Sequence, residues 1–146
     1  MSEPALVDRL AIIGIGLIGS SLARASSARG VAGEVALFDL DPGVRERARA
    51  LGLGTVTDTI GEAVRGAAIV ILCTPPGAMG AATEQLADAL DAGAVLTDVG
   101  SVKAQAIDAV SPYVPERALF VPGHPIAGTE QSGPEAGFAE LFINRW

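Results

Sequence analysis

The feature that most constrains this 146-residue sequence is a junction near its start. Leu10 to Ile15 is a continuous apolar run that passes directly into Gly14-Ile15-Gly16-Leu17-Ile18-Gly19. An unbroken apolar run of this length suits a strand buried on both faces, which calls for a layer of structure on either side. The G-x-G-x-x-G spacing gives each glycine a task. The first permits a tight turn, the second lets the backbone approach a pyrophosphate, and the third lets a helix pack closely on the strand. A helix opening at Leu17 aims unpaired N–H groups and its positive dipole end at the phosphates. Glycines also mark ordinary turns, so the competing reading is a strand–helix turn without a ligand.

The rest of the chain repeats the alternation. Leu17 to Arg29 reads as a helix with Ile18, Leu22 and Ala25 on one face and Gly30 as its stop. Val35 to Asp39 is a second strand. Pro42 then opens a helix over Gly43 to Leu51, with Arg45, Arg47 and Arg49 on the solvated side. Thr55–Thr57 is a weak strand and Ile60–Arg65 a short helix. Ala68–Cys73 is the most strand-like segment, and after Pro75-Pro76 a helix runs over Ala78–Leu90. Strand Ala94–Val99, helix Val102–Val110 and strand Leu119–Val121 complete the series. The expected class is α/β: a single Rossmann-type domain over 1–146, with a doubly wound, mostly parallel sheet and helices on both faces.

Composition narrows the function. Ten Lys+Arg against 17 Asp+Glu give a charge of −7, which argues against nucleic acid or an anionic membrane as partner. One Cys excludes an internal disulfide, and a lone His with a lone Cys offers no metal-ligand cluster. No apolar run approaches the ~20 residues of a membrane span, and Met1–Arg9 lacks a signal-peptide layout, so the expected location is cytoplasmic.

In a doubly wound sheet ligands bind beyond the carboxyl ends of the strands, and four such ends carry candidates. Asp39 lies twenty positions past Gly19, where an acid bonds a ribose hydroxyl and repels a 2′-phosphate; NAD is expected over NADP. Asp41 either shares Asp39's role or caps the helix after Pro42, and capping is the favoured reading. Cys73-Thr74-Pro75-Pro76 either stiffens a wall beside a nicotinamide ring or simply opens a helix, with Cys73 an inert packed thiol. In Asp98-Val99-Gly100-Ser101-Val102-Lys103, Ser101 stands at a helix N-cap position, and substrate contact is the other reading. Lys103, the one Lys beside nine Arg, serves either a site or a salt bridge to a neighbouring acid. His124, held between Gly123 and Pro125, is either structural or a proton acceptor for a substrate hydroxyl.

Together, Gly14-Ile15-Gly16-Leu17-Ile18-Gly19-Ser20-Ser21-Leu22-Ala23, Asp98-Val99-Gly100-Ser101-Val102-Lys103 and Gly123-His124-Pro125-Ile126-Ala127-Gly128 resemble the prephenate/arogenate dehydrogenases of tyrosine biosynthesis. The first segment is shared by many dehydrogenases; the other two are far more specific. The resemblance implies NAD(P)-dependent oxidative decarboxylation of prephenate to 4-hydroxyphenylpyruvate, or of arogenate to tyrosine. It places the family's catalytic His on His124 and its active-site Ser on Ser101, and sets Thr74 and Pro75 on the nicotinamide side. The cofactor set is then Gly14, Ile15, Gly16, Leu17, Ile18, Gly19, Asp39, Cys73, Thr74, Pro75 and Ser101.

The family's pattern continues into a helical domain that supplies a homodimer interface and further substrate-binding groups. This sequence stops at Trp146, with Phe142, Ile143 and Trp146 resembling the start of a buried element. The expectation is therefore the cofactor half of a longer enzyme, inactive alone. Two alternatives stand beside it: a non-catalytic nucleotide-binding module, and a β-hydroxyacid-type dehydrogenase domain.

Overall fold

The computed structural model describes residues 3–145, so the expectation for Trp146 lies outside the described residues. Six strands, β1 (Val7–Ile13), β2 (Ala32–Phe38), β3 (Thr55–Val56), β4 (Ile69–Leu72), β5 (Val95–Asp98) and β6 (Leu119–Val121), form one sheet in the order β3-β2-β1-β4-β5-β6. Every pairing is parallel. The connections are α1 (Leu17–Arg29), α2 (Pro42–Ala50), α3 (Ile60–Val64), α4 (Met79–Leu86) and α5 (Lys103–Val110). One turn of 3-10 helix, Ala87–Ala89, prolongs α4 toward its expected end.

The period-two geometry of the strands sorts side chains to two cores. Leu10 and Ile12 of β1 join Val35 and Leu37 of β2 against Ala23 of α1 and Ala48 of α2. Ala11 and Ile13 face the other way, with Val70, Leu72 and Leu96, onto α3, α4 and α5. The expected doubly wound sheet is therefore present, with helices on both faces.

Three local differences from the sequence reading have physical causes. Strand β1 begins earlier, at Val7, because Val7 to Arg9 pairs with β2 despite its polar residues. Arg9 is kept there by Glu34 and by the carbonyls of Glu62 and Ala63. The strand also ends at Ile13, because Gly14 takes φ +98° and turns the chain. In α1 the buried residues are Gly19, Ser20, Ser21, Ala23 and Ser26, whereas Ile18, Leu22 and Ala25 are half-buried. A Cβ on Gly19 would collide with the Gly14 carbonyl, so contact at this distance selects small residues rather than large apolar ones.

Arg45, expected in solvent, folds back instead. Its Nη1 donates to the carbonyls of Asp39 (2.8 Å) and Leu40 (3.2 Å), and its guanidinium sits 5.5 Å from the Phe38 ring centre. Near the C-terminus, Leu141 is buried, Phe142 half-buried and Ile143 exposed, all in turn conformation.

Candidate dinucleotide site

Strand order reverses between β1 and β4, and a cleft of about 830 Å3 opens beyond their carboxyl ends. This is where an open α/β sheet leaves a crevice between diverging connections. Its wall includes residues 14–18, Asp39, Cys73, Thr74, Pro75, Ser101 and His124. Of the residues expected at the site, Gly19 alone is missing from the wall, and its packing against Gly14 explains why. Among the described residues, no group of three or more His, Cys, Asp or Glu gathers to hold a metal ion. No described helix is long and apolar enough to cross a membrane.

The glycines have distinct geometries. A Cβ on Gly14 would meet the Cys73 backbone at 2.7 Å, so the β1–α1 and β4–α4 turns lie against each other there. A Cβ on Gly16 would meet nothing within 4 Å, which leaves open space before the backbone at the start of α1. Gly16 caps α1 without a side-chain hydrogen bond, and the first turn carries no acid. The helix end thus keeps its donors and positive potential for an anion. Buried Thr74 Oγ1 has no hydrogen-bond partner among the described residues, an unspent polar group at the cleft wall. This donor set fits a phosphate-bearing dinucleotide.

Asp39 stands just past the end of β2. Its Oδ2 accepts from Ile15 N–H at 2.8 Å and its Oδ1 from Asp41 N–H at 2.9 Å. Each oxygen keeps a second lone pair, so the carboxylate can brace the glycine-rich turn and still accept a ribose hydroxyl. Asp41 accepts from Gly43 N–H at 2.7 Å and caps α2 as expected. Cys73 is half-buried; desolvation first, and the Asp98 charge second, push its thiol well above the ordinary range. The expected inert thiol agrees with that environment.

Ser101 does not cap a helix. Val102 is the N-cap of α5 and provides no side-chain bond, while Ser101 is exposed at the cleft. The cause is the turn before it, where Asp98 Oδ2 accepts from Gly100 N–H at 2.9 Å and delays the helix. Lys103 makes the expected salt bridge, to Asp98. The His124 side chain is exposed and makes no hydrogen bond among the described residues, so nothing within the fold accounts for it as a structural histidine. A second hollow of about 400 Å3 is lined by residues 124–128 and Arg145.

Sequence reading missed two things. Leu40, Val44, Ile60, Met79, Ala82 and Gln85 complete the cleft wall from separate elements. Only Leu40, an apolar residue beside the key acid and 77% exposed, left a local trace. Asp98 is 1% exposed and accepts from both Gly100 and Gly123, a hub that its position at a strand end does not reveal.

The family of the prephenate dehydrogenase nucleotide-binding domain matches residues 22–146, the span that starts just after the glycine-rich turn. The cyclohexadienyl dehydrogenase of Zymomonas mobilis is 51% identical over 134 residues, covering 91% of this chain and 45% of that protein. Prephenate dehydrogenase from Aquifex aeolicus, solved with hydroxyphenyl propionate and NAD+, superposes with a TM-score of 0.83 at 30% identity, covering 94% of this chain and 48% of that one. Synechocystis arogenate dehydrogenase gives a TM-score of 0.83 at 30% identity, again over 94% and 48%. The chain thus spans less than half the length of each of these relatives.

Proposed function

We propose, because this chain belongs to the prephenate dehydrogenase nucleotide-binding-domain family, that it binds NAD in the cleft and forms the cofactor half of a prephenate or arogenate dehydrogenase. The observation that carries this reading is the meeting of three loops. The glycine-rich turn, the Ser101 loop and the His124 loop line one cleft at the strand-order switch. NAD is the dinucleotide bound to the related Aquifex aeolicus enzyme, and Asp39 favours it here over NADP through the negative charge facing a 2′-phosphate.

Bound NAD supplies the hydride acceptor. The chain's own residues bind the cofactor and handle the proton. The N–H groups at the start of α1 hold the pyrophosphate, Asp39 takes the adenosine ribose, and Cys73, Thr74 and Pro75 wall the nicotinamide side. His124 receives the proton of the substrate's 4-hydroxyl as hydride leaves the carbon bearing it, and Ser101 orients that hydroxyl. The ring carboxylate departs as carbon dioxide, and its bonding electrons complete the aromatic ring. The phenolate oxygen left by this electron shift takes back the proton held on His124, so one hydride and one carbon dioxide leave for each product formed. The sequence by which the relatives exceed this chain is assigned the remaining substrate contacts and a homodimer interface, in a cytoplasmic enzyme.

The test is a panel of prephenate, arogenate and short β-hydroxyacids, assayed with NAD and NADP on the complete gene product. NADH formation from prephenate or arogenate is the expected outcome. NAD binding without turnover would mark a non-catalytic module, and turnover of hydroxyacids alone a different dehydrogenase.

A further inference from the structure

We propose that Asp98 and Lys103 are positioning residues, forming a charged clamp that sets the Ser101 loop against the His124 loop. The inference rests on the dehydrogenase reading for its kinetic consequence, though not for its structural one. Asp98 ends β5 with 1% exposure, and its carboxylate accepts three bonds. Oδ2 accepts from Gly100 N–H at 2.9 Å and from Lys103 Nζ, while Oδ1 accepts from Gly123 N–H at 3.2 Å. Lys103 Nζ also donates to the Gly123 carbonyl. Both backbone groups of Gly123, the residue before His124, are therefore tied to one ion pair that flanks Ser101, with Asp98 three residues before it and Lys103 two after.

The surrounding space is fitted to this arrangement. A Cβ on Gly100 would stand 3.0 Å from Asp98 Oδ2, and one on Gly123 would stand 3.0 Å from the Asp98 carbonyl. Both glycines thus allow the loops to close around the carboxylate. The clamp also explains the position of Lys103 in the first turn of α5, where the helix dipole disfavours a cation: the Asp98 charge offsets it. β5 and β6 pair only as far as Val121, so the sheet ladder does not itself fix the loop beyond it. The side chains at issue, Ser101 and His124, are both exposed and make no hydrogen bonds among the described residues, so their relative placement depends on the backbone the clamp holds.

Three variants of the complete gene product test this: Lys103→Met, Lys103→Arg, and Asp98→Asn with Lys103→Met. The double variant removes the clamp without leaving a bare buried carboxylate, so a folded protein remains to be measured. A shift of about 1 Å between the two loops is expected to lower kcat by about 100-fold. The affinity for NAD should stay within about threefold, because the pyrophosphate site lies on another loop. Lys103→Arg should recover most of the loss, since a guanidinium can donate to both Asp98 and Gly123. The structural readout is independent of any reaction. His124 is the only histidine, so the 146-residue chain and its variants each give a single imidazole Cε1–H resonance. That resonance should shift or broaden in the Met variants and return in Lys103→Arg. An unchanged resonance in the folded double variant overturns the clamp, as does unchanged kcat or an equal loss of kcat and NAD affinity. If the wild type turns over neither dienyl substrate but the resonance moves as expected, the clamp stands and the functional reading fails.

Discussion

Asp39 shows how one side chain can serve fold and ligand together. Its Oδ2 braces Ile15 N–H while the carboxylate faces the cleft, so removing it loosens the glycine-rich turn and deletes the proposed ribose acceptor at once. Asp39→Ala should weaken NAD by about 10–100-fold, the range for losing a hydrogen bond to a charged group. It should also narrow the NAD-over-NADP preference, because the repelling charge is gone. Titration of both dinucleotides by calorimetry checks this, and a wild type that already prefers NADP contradicts the role given to Asp39. Spacing from Gly19 suggested the ribose role proposed for Asp39, but not the bracing role that the structure shows. A bond from residue 39 to residue 15 depends on two strands lying side by side, which no local pattern encodes. Ser101 illustrates the converse: its residue type suggested a cap, yet the Asp98–Gly100 turn moved the helix start beyond it.

Among the elements, those with strong local chemistry were legible. Gly30 ends α1 in the left-handed region at φ +62°, and Asp41 and Pro42 open α2. The apolar face of α1 was misread because this helix meets the sheet through small residues, and hydrophobic periodicity finds large ones. Helix α3 has five residues and depends on its cap. Thr59 Oγ1 accepts from Glu62 N–H, and the Glu62 carboxylate accepts from Thr59 N–H, both at 3.3 Å. Thr59→Ala should cost about 1 kcal/mol, seen as a lower urea midpoint with an unchanged slope. No loss of stability would mean that packing of Ile60, Ala63 and Val64 holds α3 without its cap.

Over the whole molecule, alternating apolar runs and helices foretold the parallel sheet, and right-handed crossovers left few ways to order it. The proposed catalytic edge was legible only as separate motifs at separate strand ends. Their convergence comes from the order β3-β2-β1-β4-β5-β6, which brings residues 14, 39, 73, 101 and 124 to one cleft. The wall from Leu40 to Gln85 was illegible as a whole because its members come from both faces of the sheet and meet only beyond the carboxyl ends of the strands. In the proposed mechanism this cleft positions His124 to take a proton as hydride passes to NAD. That role is tested most directly by His124→Asn in the complete gene product, following NADH formation from prephenate or arogenate at saturating NAD. Loss of the general base should lower kcat by about 10²–10⁴-fold while leaving the NAD dissociation constant within about twofold of wild type. Turnover equal to wild type would contradict the account.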